Sequence, residues 1–209
     1  MLSLLLHQSF NLAQNLLLSV RPIMPMTNAK PESSSLRSSS SDETLLHEGS
    51  SRCILVAEDD ADDVFLLRRA LRKAGLSHRV VDVFDGTVVI SYLGGEPPFD
   101  NRLDYPFPDL LLLDLKMPKM NGFDVLAWLK GRPDMGSLPV VVLSSSSVEE
   151  DEAMALRMGA REFRTKPADI DNLVPLLKGL HKRWLEQTPF SPEVWRAAPH
   201  EPHRLPHPG

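Results

Sequence analysis

The stretch Asp109-Leu110-Leu111-Leu112-Leu113-Asp114, followed by Leu115-Lys116-Met117-Pro118, decides the fold. Four consecutive leucines with no polar alternation fit a strand buried on both faces, which is how parallel strands read. The run closes on a carboxylate, and open α/β folds bind their ligands at the carboxyl edge of the sheet. Asp114 therefore sits where a nucleophile belongs. Upstream, Cys53-Ile54-Leu55-Val56-Ala57 is a second apolar strand, and it empties into Glu58, Asp59, Asp60, Asp62 and Asp63. Two strands that end in carboxylates point to one shared site.

Outward from these strands the chain alternates strand and helix. The strand over 52–58 is followed by a helix from Asp62 to Ala74, with Val64, Leu67, Leu71 and Ala74 at helical spacing before Gly75 stops it. Arg79 to Phe84 reads as a strand and Thr87 to Leu93 as a short helix ended by Gly94-Gly95. A Pro-rich loop, Glu96 to Pro108, returns to the leucine run. After the Met117 to Gly122 loop, Phe123 to Lys130 is a helix, and Pro139 to Leu143 is a fourth strand. Ser147-Val148-Glu149-Glu150 has the form of a capping box, which predicts a helix reaching Met158 and ending at Gly159. Glu162 to Thr165 is the last strand and Asp169 to Glu186 the last helix. Pro175 lies near enough to that helix's start to be tolerated with some distortion.

Strands alternating with helices imply a parallel sheet covered on both faces, and too few units are present to close a barrel. The expectation is a doubly wound (βα)5 α/β sandwich with a five-stranded parallel sheet in the flavodoxin-like order 2-1-3-4-5. At 209 residues and 42% hydrophobic content, the chain can build one core domain, expected over 52–187. Residues 1–51 should form a disordered leader. Met1 to Val20 is leucine-rich but lacks the basic start and cleavage site of a secretory signal, and Arg21 to Ser51 is rich in Pro and Ser. Met24 and Met26 are alternative starts. The tail 188–209 is Pro-rich and carries His200, His203 and His207; it reads as disordered rather than as a metal site.

The net charge of −5 argues against a nucleic-acid partner, and no segment reaches the roughly 18 apolar residues of a membrane span. Cys53 is the only cysteine, which suits a reducing, cytoplasmic setting.

Taken together, Val56-Ala57-Glu58-Asp59-Asp60, the Asp114-Leu115-Lys116-Met117-Pro118-Lys119-Met120-Asn121-Gly122 run, Ser144 and Lys166-Pro167 resemble a two-component response-regulator receiver domain over Arg52 to Gln187. Ser144 follows Asp114 by thirty residues and Lys166 follows Ser144 by twenty-two, as in the family's chemotaxis regulator. The long Glu96 to Pro108 loop is similar to that of the single-domain subgroup that includes cyanobacterial phytochrome response regulators.

Carboxylates gathered in one crevice repel each other unless a cation neutralises them, and Mg²⁺ is the hard, oxygen-loving ion that fits. The resemblance implies that Asp59 and Asp114 bind it directly, Glu58 more often through water, and Lys116 through its backbone carbonyl. Asp60, Asp62 and Asp63 read instead as a solvated acidic turn at a helix start. The resemblance further implies that Asp114 takes a phosphoryl group from a sensor histidine kinase or a histidine phosphotransfer protein, and that Lys166 balances the charge on that group. Ser144 would donate its hydroxyl to the phosphoryl, with the Ser145 amide beside it. Phe163 falls where the family has an aromatic switch residue, although a buried strand Phe needs no such role. A cis bond between Lys166 and Pro167 is also common in the family.

The 43 residues after Lys166 hold the last helix and leave no room for a DNA-binding output domain. Phosphorylation is therefore expected to switch a protein-binding surface, and the subgroup resemblance, with the apolar length of the last helix, suggests a homodimer through the last strand and helix. Turnover of a separate substrate is not expected. A haloacid-dehalogenase-like phosphatase would need a second Asp where Lys116 stands. The other rival is a receiver-fold scaffold that binds partners without phosphorylation, and it has no physical need for Asp59, Asp114, Ser144 and Lys166 together.

Overall fold

The computed structural model describes residues 52–186. The expected leader 1–51 and tail 188–209, including the three tail histidines, lie outside the described residues. Five parallel strands run in the order 2-1-3-4-5: β1 (Cys53–Ala57), β2 (Arg79–Val83), β3 (Leu110–Leu113), β4 (Val140–Ser144) and β5 (Glu162–Thr165). Between and after them come α1 (Ala61–Lys73), α2 (Gly86–Gly94), α3 (Gly122–Lys130), α4 (Glu149–Arg157) and α5 (Ile170–Leu180). The predicted doubly wound sandwich is the observed one.

All four residues of β3 are buried, as the unbroken leucine run requires. Leu111 and Leu113 join one apolar cluster with Val88, Val89, Leu126 and Phe163, and Leu110 and Leu112 join another with Leu67, Leu71, Leu173 and Leu177. The period-two alternation of a strand thus feeds two cores, one on each side of the sheet. Each fully buried leucine contributes about 1.5–3 kcal/mol by leaving water.

Helix starts are set by side-chain caps. Asp60, Asp85, Asn121 and Asp169 each accept backbone N–H groups at the first turn of α1, α2, α3 and α5. The expected capping box at Ser147 does not form. Helix α4 begins at Glu149, with Val148 as an N-cap that offers no side chain. Ser146, one residue earlier, is turned inward and holds this end: its hydroxyl donates to Asp151 Oδ2 at 2.5 Å and accepts from Val148 N at 3.4 Å. A complete capping box stands at Asn121 and Asp124, where sequence reading placed only a loop. The last helix continues as a π turn over His181–Leu185, with Pro175 inside its α-helical part.

The Lys166–Pro167 bond, common as cis in the resembled family, is trans here. The cis bond among the described residues is Pro97–Pro98. The turn after β5 is made by Asp169, which caps α5 three residues beyond the Lys166 amide bonded to Ser144 O at 2.8 Å.

The Glu96 to Pro108 loop is packed rather than loose. Phe99 is fully buried, and its ring meets Tyr92 and Tyr105 at 5.3 and 5.2 Å. Arg102 reaches into this group and donates to the carbonyls of Tyr92 and Leu93 at 2.8 Å each, closing the C-terminal end of α2.

Candidate functional site

Parallel registry brings the ends of β1, β3 and β4 to one edge. Asp114 N donates to Ala57 O at 2.9 Å and Glu58 N to Val83 O at 2.9 Å, so the two acids leave adjacent strands side by side. Ligand oxygens of Glu58, Asp59 and Asp114 all lie within 4.8 Å of one another. Glu58 and Asp114 are buried at 5% exposure each, while Asp59 faces solvent. Three hard oxygen donors of this kind, one open to water, suit Mg²⁺ or a similar cation. The three expected carboxylate ligands are therefore brought together.

Lys166 enters the same crevice from the end of β5. Its Nζ lies 2.9 Å from Asp114 Oδ2 and 3.0 Å from Asp63 Oδ2, and it pairs with Glu58 as well. Burial alone would lower the lysine's pKa, but hydrogen bonds to Glu58 and Asp114 override it and hold the ammonium above the ordinary lysine range. Burial pushes the Glu58 carboxyl up to about 7, against the opposing pull of Lys166. The ammonium thus offsets part of the negative charge of Glu58 and Asp114.

Asp63 departs from the sequence expectation. The sequence predicts a solvated helix-start acid at Asp63, as at Asp60 and Asp62, and that holds for Asp60, whose side chain accepts from Asp62 N at 2.8 Å. Asp63 instead turns to Lys166. Position decides this: as the third residue of α1 it faces back over the sheet edge, a direction that charge patterning alone does not reveal.

Ser144 closes β4 and is fully buried; its hydroxyl accepts from Ser146 N at 3.3 Å and its carbonyl from Lys166 N at 2.8 Å. Lys116 is exposed, and its amide donates to Asp114 Oδ1 at 3.3 Å. Phe163 is 6% exposed and packs in the apolar cluster between the sheet and α2 and α3, as a core residue would.

The loop that follows Asp114 is held by a pair absent from the sequence reading. Lys119 Nζ lies 2.7 Å from Oδ2 of the buried Asp85, and Lys119 occupies the left-handed region at φ 61°. Burial would raise the Asp85 pKa, yet its hydrogen bonds from Lys119 and Thr87 leave it below the usual carboxylate range. Gly86, next to Asp85, donates its amide to Met120 O at 3.0 Å, an approach that a side chain would block.

Comparison with known proteins agrees with this geometry. The profile of the response regulator receiver domain family matches residues 54–178. Response regulator Rcp1 of Synechocystis is 32% identical over 135 residues, covering 65% of this chain and 90% of Rcp1. The crystal structure of the phosphorylated cyanobacterial phytochrome response regulator RcpA matches with a TM-score of 0.61 at 35% identity, covering 66% of this chain and 97% of that one. The structure of the Mn²⁺-bound form of Rcp1 matches with a TM-score of 0.58 at 31% identity, covering 66% of this chain and 96% of that one.

Proposed function

Because this chain belongs to the response regulator receiver domain family of two-component signalling, we propose that Asp114 accepts a phosphoryl group from a sensor histidine kinase or a histidine phosphotransfer protein. One observation carries this reading: the buried Asp114 carboxylate stands at the sheet edge within reach of Glu58, Asp59 and the Lys166 ammonium. A carboxylate oxygen of Asp114 attacks phosphorus, an oxygen–phosphorus bond forms, and the phosphorus–nitrogen bond to the donor imidazole breaks. The electron pair of that bond stays on the ring, which takes a proton from solvent, so the donor leaves as neutral histidine. Asp59, Asp114, Glu58 and the Lys116 carbonyl would hold Mg²⁺, which when bound neutralises charge on the phosphoryl oxygens. Lys166 does the same, and the Ser144 hydroxyl, whose oxygen accepts from Ser146 N, donates its proton to a phosphoryl oxygen.

The output is a change of surface. Val148, Met154 and Leu156 are exposed large apolar side chains on and beside α4, which packs against β5. We assign partner binding to this surface, with Ser144 and Phe163 linking it to the site and a second copy docking through β5 and α5. No helix among the described residues is long and apolar enough to cross a membrane, and a cytoplasmic location fits a kinase partner.

Incubation with acetyl phosphate and Mg²⁺, followed by intact mass measurement, tests the reading. A gain of about 80 Da, one phosphoryl group, is expected only with Mg²⁺ and only when Asp114 is present. The same gain in Asp114→Asn, or none in the wild type with either acetyl phosphate or a phosphorylated histidine donor, would overturn it and favour a constitutive scaffold.

A further inference from the structure

We propose that Asp63 is a positioning residue for Lys166, holding the ammonium at the rim of the crevice so that Glu58 and Asp114 are free to take a divalent cation. This inference rests on the metal-assisted reading above. An ammonium has three N–H donors, and each of those on Lys166 faces a different carboxylate: Glu58, Asp63 and Asp114. The three partners are not equivalent. Glu58 and Asp114 belong to the carboxylate group that converges on one point, whereas Asp63 does not. Side-chain exposure separates them too, at 7% and 5% for Glu58 and Asp114 against 44% for Asp63. Asp63 also rides on the first turn of α1, while the other two end strands.

A cation that takes oxygens of Glu58 and Asp114 must take them from Lys166. If the ammonium had no other partner, it would compete for both carboxylates and weaken the cation's hold. Asp63 gives it a third partner outside the converging group, 3.0 Å away, so Lys166 can release the first two without leaving the site. It then stays within reach of any phosphoryl group on Asp114. The role differs from that of a ligand, because Asp63 acts on the cation only through Lys166.

Isothermal titration of the full chain with Mg²⁺, without any phosphoryl donor, tests this in a double-mutant cycle. Asp63→Asn is expected to weaken Mg²⁺ binding by roughly three- to tenfold, in the lower part of the range that coupling between neighbouring side chains covers. In a Lys166→Met background, with Lys166→Gln as a second choice if the first does not fold, the same change should have less than about a twofold effect. An equal loss in both backgrounds would show a simple effect of charge and overturn the proposal, as would no loss in the wild-type background. Absence of Mg²⁺ binding to the wild type would strike the metal-assisted reading itself, a result distinct from failure of the cycle.

Discussion

Gly122 lies directly against the backbone of Asp114. A Cβ placed on it would clash with the Asp114 carbonyl oxygen and stand 2.8 Å from the Leu115 Cα. The Gly122 amide donates to Leu115 O at 3.0 Å, so the loop after β3 folds back on the strand end that carries Asp114, the proposed phosphoacceptor. Gly122→Ala forces that strand end to move. The expected cost is about 1–3 kcal/mol of stability, as for other overpacked sites, read from urea unfolding. The rate of phosphorylation by acetyl phosphate should fall as well, because the displaced atoms belong to Asp114 itself.

Lys119 combines an unfavourable backbone with a favourable charge pair, and two substitutions separate them. Lys119→Ala removes the bond to Asp85 but keeps a side chain at φ 61°, whereas Lys119→Gly removes the bond and relieves the backbone. The glycine variant should be the more stable of the two by about 1 kcal/mol, since the left-handed region costs an ordinary residue about 1–2 kcal/mol. Equal urea midpoints would show that the strain there is no larger than the unfolded-state entropy that glycine adds, about 0.4–1 kcal/mol.

Asp59 is the exposed member of the carboxylate triad, and nothing in the apolar core depends on it. Asp59→Asn should therefore leave stability within about 0.5 kcal/mol of wild type. Its Mg²⁺ affinity should fall by about tenfold or more, the equivalent of at least about 1.4 kcal/mol. Calorimetric titration beside a thermal melt checks both halves.

His78 should make stability depend on pH. Burial lowers its pKa from the ordinary 6.5, with a further push from His181 and Arg52 and an opposite pull from Asp109. His78 Nε2 lies 2.9 Å from His181 Nδ1, whose other ring nitrogen faces Glu186 at 3.1 Å. Below 6.5 the unfolded chain binds a proton that the folded ring refuses, so this contribution is whole above 6.5 and is lost as pH falls toward the lowered value. The wild type should lose more stability than His78→Gln between about pH 7.5 and about 5.5. A parallel loss in both proteins would remove His78 as the cause.

The parts of the molecule legible in the sequence are those governed by repeating chemistry. Apolar runs gave the strands of the sheet, and the acids and lysine after β1, β3 and β5 marked the crevice, because strand ends in a parallel sheet must meet at one edge. Side chains whose partners lie far along the chain were less legible. Lys119 meets Asp85 across 34 residues and Lys166 meets Asp63 across 103, and neither separation follows from local pattern. The capping motifs failed for a related reason. Ser147 and Asn121 are both plausible caps, and only the inward turn of Ser146 decided against the first. The Glu96 to Pro108 segment is the loop its prolines indicate, but its composition does not reveal the burial of Phe99 or the reach of Arg102.

The four leucines of β3 carry one more consequence. Since Leu110, Leu111, Leu112 and Leu113 are identical, sliding the strand by two positions would set leucine upon leucine at two of the four places, where side-chain shape could not detect the slip. The markers that forbid it are its two acids. Asp109 accepts from Cys53 N at 2.7 Å and pairs with Arg52 at 3.1 Å, and Asp114 meets Lys166 at the other end. Asp109 is thus a fiducial that fixes where along the sheet its partner aspartate comes to rest, and the chemistry at one edge is gauged from the other.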